Sequence, residues 1–168
     1  MDILLILNAQ NSFLSPTGSV YMGEKAEILK IRLIDYLSGY QGKRVFFRTS
    51  RAMQDTFFVG DSTHSIATTE DYHIVADLKE FATCFFDITR YNAFFKTTLE
   101  SFLAVEKVKS VGIVGLETHT SVLLTAEELR NRDYEVTVIE PCVMSRDDHL
   151  HGCAISLMRN SLGVRINA

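Results

Sequence analysis

The chain is poor in the residues and patterns that mark specialised proteins. It has two Pro, no Trp and three Cys in 168 residues, without a low-complexity tract. That composition excludes collagen-like, coiled-coil and disordered scaffolds. Neither sign of charge dominates: 17 Lys+Arg stand against 21 Asp+Glu, a net charge of −4 spread without runs. Such a balance provides no electrostatic footprint for a nucleic-acid backbone or an anionic membrane, so neither is an expected partner. The apolar opening Ile3–Leu7 falls far short of the ~20 residues of a membrane span, and Asp2 stands where a signal peptide carries positive charge. Cys84, Cys142 and Cys153 lack CxxC spacing, which fits reduced thiols better than a disulfide framework or a zinc site. A cytoplasmic location is the expectation.

What is present is an ordinary globular composition, 46% hydrophobic and 23% charged. A chain of this size removes roughly 70% of its unfolded surface on folding, enough for one core without staples. A single domain over residues 1–168 is therefore expected. Near-continuous apolar runs of strand length occur at Ile3–Leu7, Val45–Arg48, Cys84–Ile88, Val111–Gly115, Tyr134–Glu140 and Val164–Ile166, as strands buried on both faces should read. Amphipathic segments separate them. Ala26, Leu29, Leu33, Tyr36 and Leu37 share one helical face, with Gly39 and Gly42 placed to end that helix. Thr97 with Glu100, and Ser145 with Asp148, have capping-box spacing, so helices are expected to start there. A last helix is expected through His149–Arg159, with Gly163 in the left-handed position beyond it. Ser50–His73, carrying Gly60, Asp61 and Ser62, lacks periodicity and reads as a loop over the sheet's edge. This βαβ alternation predicts a three-layer α/β/α fold around a six-stranded, mainly parallel, Rossmann-like sheet of order 3-2-1-4-5-6.

In such sheets the site lies beyond the C-terminal strand ends, where strand order reverses. The candidate segments are Asn8–Phe13, Ile88–Phe94, Leu116–Ser121 and Glu140–Ser145. None carries GxGxxG or a P-loop, so nucleotide binding lacks its fingerprint and no cofactor is expected. Asn8-Ala9-Gln10-Asn11-Ser12-Phe13, after the first apolar run, resembles the D-x-Q-N-D-F of the isochorismatase-like cysteine hydrolases. Arg90-Tyr91-Asn92-Ala93-Phe94-Phe95-Lys96-Thr97-Thr98-Leu99 is similar to that superfamily's R-Y-S-A-F-x-G-T-x-L. Val114-Gly115-Leu116-Glu117-Thr118-His119-Thr120-Ser121-Val122 is similar to its V-x-G-x-x-T-D-x-C-V, and the order of the three blocks suits the superfamily from end to end.

The resemblance implies acyl transfer through a thiolate, with an Asp base, a supporting Lys and a Cys nucleophile. The matched positions here read Asn8, Ile88 and Ser121. Asn cannot take up a proton at neutral pH, Ile has no charge, and a Ser needs an adjacent base to become a nucleophile. Losing even one member of such a unit costs on the order of 10⁴ to 10⁶ in turnover. The resemblance further implies a cis bond at Leu116–Glu117 shaping an oxyanion hole, and a pocket among Phe13, Tyr91, Thr118 and His119. Nicotinamidases in the superfamily carry Asp-x-His after the second strand; here that end reads Arg48-Thr49-Ser50-Arg51. His64 and His73 lack a carboxylate partner, and Asp147, Asp148, His149 and His151 read as a helix start, so no metal site is expected.

The leading expectation is a catalytically degenerate member that retains a pocket for a small amide or carboxylate, or serves a regulatory role. It would act as a homo-oligomer or beside an active paralogue. The alternative is an active amide or ester hydrolase that uses Ser121 with a relocated base such as His119. A third is an assembly protein with a filled pocket.

Overall fold

All five residues of the first strand, β1 (Ile3–Leu7), are buried completely. Successive side chains of a strand point to opposite faces, and here both faces are covered. Ile3, Leu5 and Leu7 join one core layer with Leu99, Leu103, Ala126, Leu129, Ile155 and Met158. Leu4 and Ile6 join the other with Ala26, Leu29, Leu33 and Leu37. In the computed structural model, which describes residues 1–57 and 64–168, β1 is central in a six-stranded sheet of order β3-β2-β1-β4-β5-β6. The other strands are β2 (Lys43–Thr49), β3 (Phe85–Ile88), β4 (Ser110–Leu116), β5 (Glu135–Met144) and β6 (Arg165–Asn167). Every pairing is parallel, and the expected order holds. Helix α1 (Asn11–Leu14) and helix α2 (Glu24–Gly39) cover one face, while α3 (Leu99–Val105), α4 (Leu123–Asn131) and α5 (Asp148–Asn160) cover the other. Among the described residues no helix is long and apolar enough to cross a membrane.

Several local expectations change. Strand β5 runs past Glu140 to Met144. Its ladder with β4 slips, so that Ile113 faces Val138 but Gly115 faces Val143. Pro141 lies within the slip, where a residue without an N–H does not interrupt regular pairing. Helix α5 is capped by Asp147, whose side chain accepts from Leu150 N–H at 2.9 Å, rather than from the Ser145–Asp148 box. Ser145 is drawn away to His119. The Thr97–Glu100 box does not form either: α3 begins at Leu99, and Thr97 Oγ1 donates to Ala93 O at 2.6 Å. Gly163 has the expected left-handed conformation, at φ +64°.

The long loop departs most from expectation. Its described parts close over the strand ends rather than a sheet edge. His64, Ser65 and Ile66 are buried, and Ser65 Oγ hydrogen-bonds Ser12 Oγ at 2.8 Å. Arg51 N–H donates to Ser65 O at 3.0 Å. The chain then forms 3-10 turns at Glu70–Tyr72 and Ala76–Phe81, too short to leave a periodic signal in sequence. Gly60, Asp61 and Ser62 lie outside the described residues.

Candidate functional site

The order of the sheet reverses between β1 and β4, and the two strands are in unusually close contact there. At Gly115, where φ is +108°, a Cβ would lie 2.1 Å from Leu7 O, so only glycine fits. Asn8 follows β1 with φ at +53°, a conformation that Asn tolerates better than most side chains. Beyond Gly115 the Leu116–Glu117 peptide is cis. Thr118–Val122 forms a π-helical turn leading directly into α4. The consequence of this geometry is that residues about 110 apart in sequence meet.

Asn8 Nδ2 donates to Leu116 O at 2.8 Å and to Ser121 Oγ at 2.9 Å. Its Oδ1 accepts from Thr49 Oγ1–H at 2.9 Å. A carbonyl oxygen only accepts, so the group facing Leu116 O must be the NH₂ end of the amide. Gln10 secures the neighbouring backbone. It is fully buried, donates to Thr49 O at 2.9 Å and Tyr72 O at 2.8 Å, and accepts from Thr49 N–H at 2.8 Å. This one side chain ties the end of β2 to the turn at residues 70–72.

A cavity of about 50 Å³ opens beside this network. Asn8, Thr49 and Ser121 line it, together with the rings of Phe13 and Tyr91 and the polar groups of Arg51, His64, Glu117, Thr120 and Arg146. Arg146 Nε donates to Glu117 Oε1 at 2.9 Å, and the Arg146 main-chain N–H reaches the same oxygen at 3.3 Å. Lys25 Nζ donates to Arg146 O at 2.8 Å and pairs with Asp148 at 2.6 Å, bracing the loop that carries Arg146.

Of the positions singled out in sequence, Asn8, Phe13, Tyr91, Glu117 and Ser121 are brought to the cavity. Ile88, Leu116, Thr118 and His119 do not line it. Ile88 is 1% exposed and packs in the layer that holds Ala93 and Leu99. Thr118 Oγ1 pairs with His151 Nδ1 at 2.9 Å. His119 Nδ1 pairs with Ser145 Oγ at 2.9 Å, not with Ser121. Cys142 faces the α2 layer instead of the pocket, its Sγ 3.5 Å from Arg32 O, and burial pushes its thiol up to about 11.

Thr49, Arg51 and Arg146 were not expected at the site, Thr120 fell within the candidate segment Leu116–Ser121 without being singled out, and His64 was weighed only as a metal ligand. Thr49 and Arg51 stand at the second-strand end, where the search was for metal ligands. Arg146 falls one residue beyond the candidate segment after the fifth strand. His64 belongs to the aperiodic loop and was set aside because no carboxylate partner for a metal site accompanies it in sequence.

Among the described residues, the lining of the cavity does not suit a metal ion. Arg51, 2% exposed, places a guanidinium on its lining, a group with no lone pair to offer and a charge that opposes a cation. Among the described residues no three His, Cys, Asp or Glu side chains converge to hold one.

The chain belongs to the isochorismatase family, whose domain model matches residues 2–168. Among curated relatives, the uncharacterized isochorismatase family protein YaaI of Bacillus subtilis is 30% identical over 77 residues, covering 46% of this chain and 42% of that protein. The matched segment thus spans less than half the length of that relative. Among solved structures, the fold is similar to that of nicotinamidase PncA from Bacillus subtilis, with a TM-score of 0.89, 24% identity and 100% of both chains covered. It is likewise similar to that of the pyrazinamidase of Pyrococcus horikoshii in complex with zinc, with a TM-score of 0.85 and 22% identity over 98% of this chain and 97% of that one.

Proposed function

We propose that this chain is an isochorismatase-family fold that has lost catalysis and kept a pocket for a small molecule. One observation carries this reading: Asn8 donates a hydrogen bond to Ser121 Oγ at 2.9 Å. A catalytic base at that position would accept the nucleophile's proton, and an amide nitrogen bound to two hydrogens cannot. Ile88 in the hydrophobic core supplies no charge, and His119 is engaged with Ser145. The pocket remains open and polar, which favours ligand binding over a purely architectural role. Three free thiols suit a cytoplasmic setting. Exposed Leu150 and Leu157 on α5 are compatible with assembly into an oligomer of this chain or with an active paralogue.

A serine hydrolase is the second reading. It is favoured by His64, which lines the same cavity as Ser121 and has the side chain best suited to act as a base near neutral pH.

Ammonia release from nicotinamide, pyrazinamide and N-carbamoyl compounds, measured with the wild type and with Ser121→Ala, tests both. The first reading expects no turnover from either protein. Turnover that disappears in Ser121→Ala would overturn it and make His64→Asn the next variant to assay.

A further inference from the structure

Away from the cavity, helix α5 carries two metal-binding side chains on the face it turns to solvent. His149 and Cys153 stand four residues apart, a spacing that makes them neighbours on one helix surface, and both are exposed. His149 Nε2 lies 3.7 Å from Cys153 Sγ. Zinc holds a thiolate sulfur at about 2.3 Å and an imidazole nitrogen at about 2.0–2.1 Å with near-tetrahedral angles, which sets the two donors about 3.6 Å apart. The helix therefore already holds a sulfur and a nitrogen at the spacing that one such ion requires. Thiolate and imidazole together suit zinc, whereas magnesium and calcium call for oxygen ligands.

Two donors make half of a closed site. Structural zinc is almost always four-coordinate, and among the described residues of one chain no three His, Cys, Asp or Glu side chains form a group that could hold an ion. The neighbouring candidates are otherwise engaged: Asp147 caps the helix, Asp148 pairs with Lys25 at 2.6 Å, and His151 Nδ1 pairs with Thr118 Oγ1 at 2.9 Å. A second copy of this chain would supply what is missing. In a twofold dimer each copy presents the same patch to the other, so an ion on the axis receives one sulfur and one nitrogen from each. The surroundings of the pair favour that approach. Leu150 and Leu157, 41% and 50% exposed, stand three residues before Cys153 and four after it, on its side of the helix, and offer apolar contacts that one chain alone leaves uncovered.

We propose that His149 and Cys153 from two copies of this chain form a shared zinc site of two sulfurs and two nitrogens, joining the copies along α5. The proposal rests on the assembly reading above and is independent of whether Ser121 is catalytic. Each Cys153 thiol gives its proton to solvent as the sulfur coordinates the ion, and each His149 binds as the neutral imidazole, so the metal-linked dimer weakens as pH falls.

Sedimentation velocity of the full chain, with its thiols kept reduced and with either zinc or a chelator present, tests this together with cobalt absorption spectra. Zinc is expected to tighten dimerisation at least about tenfold, at one ion per two chains, and cobalt to show the intense visible bands of a tetrahedral ion with a thiolate charge-transfer band. Cys153→Ser is expected to abolish both signals. His149→Gln is expected to weaken zinc binding at least about tenfold, since even outer-shell partners of a metal contribute that much. Cys84→Ser should change neither. The wild-type comparison of zinc with chelator decides the matter even if a variant fails to fold. Equal association in the two conditions would overturn the zinc site, and a dimer in both would leave the assembly reading standing without a metal. A dimer that forms only when the thiols are oxidised would also overturn it, assigning the contact to a disulfide. Binding of one zinc per monomer would overturn the shared site. Turnover in the amide assay would overturn lost catalysis alone.

Discussion

Asn8 gives an amide hydrogen to Ser121 across 2.9 Å, joining the end of β1 to the turn that precedes α4. The contact spans the point where the sheet reverses its order, and it sets the polarity of the cavity. The direction of this one hydrogen bond separates the binding reading from the catalytic one.

Asn8→Asp changes that direction. An ionised carboxylate would face Leu116 O, which lies 2.8 Å from the present Nδ2, and two acceptors would confront each other. The expected cost is about 1–3 kcal/mol of stability at pH 7. The neutral acid can still donate to that carbonyl, so the folded-state pKa of the new Asp rises above its unfolded value near 4. Stability relative to wild type is then retained below pH 4 and lost as pH rises through the folded-state pKa. Urea unfolding at pH 4 and pH 7 checks this, and an unchanged difference between the two would contradict it.

Gln10→Ala should remove the tie between β2 and the turn at residues 70–72. Three hydrogen bonds of a fully buried side chain disappear, leaving Thr49 N–H and two carbonyls without their partner. A loss of about 2–4 kcal/mol is expected. Hydrogen exchange should show the Thr49 amide losing protection more than the amides at the centre of β1.

The three thiols should separate in a labelling experiment with a disulfide reagent at pH 8. With its pKa at about 11, Cys142 is thiolate in only about one molecule in a thousand at that pH, and it is buried as well. Cys153, exposed on α5, should react first. Cys142 should react only in denaturant, and rapid labelling of all three in the native protein would mean that β5 and α2 do not pack as described.

His151 should make stability depend on pH. Burial lowers its pKa, against the opposing pull of Glu140 and Asp148 and with the help of Lys25. A depressed folded-state value means that the unfolded chain binds protons first as pH falls. The contribution of His151 is therefore present above its unfolded pKa near 6.5 and is lost as pH drops through the folded-state value. The melting temperature should fall between pH 7 and pH 5, and His151→Gln should flatten that slope. An identical slope in the variant would assign the effect to other groups.

The strands and their order were legible in the sequence because β1, β2 and β4 are buried on both faces and so read as unbroken apolar runs. The positions of Asn8 and Ser121 were legible from the three blocks around them. Arg51 and Arg146 were not, and His64 was read only as a weak metal ligand, because each reaches the cavity from a loop whose path depends on tertiary contacts: Ser65 with Ser12, and Lys25 with the carbonyl of Arg146. The capping boxes misled for a related reason. Ser145 satisfies their spacing, but its hydroxyl is taken by His119, a partner distant in sequence that no local pattern announces.

The Leu116 carbonyl that accepts from Asn8 also makes the two sides of the strand crossing interdependent. A carboxylate introduced at position 8 alone would place acceptor against acceptor and weaken the fold unless a neighbouring group changed with it. Asn8, Leu116 and Ser121 thus form one unit in which each group fixes the hydrogen-bonding role of the next, and substitutions at Asn8 and Ser121 should not add independently.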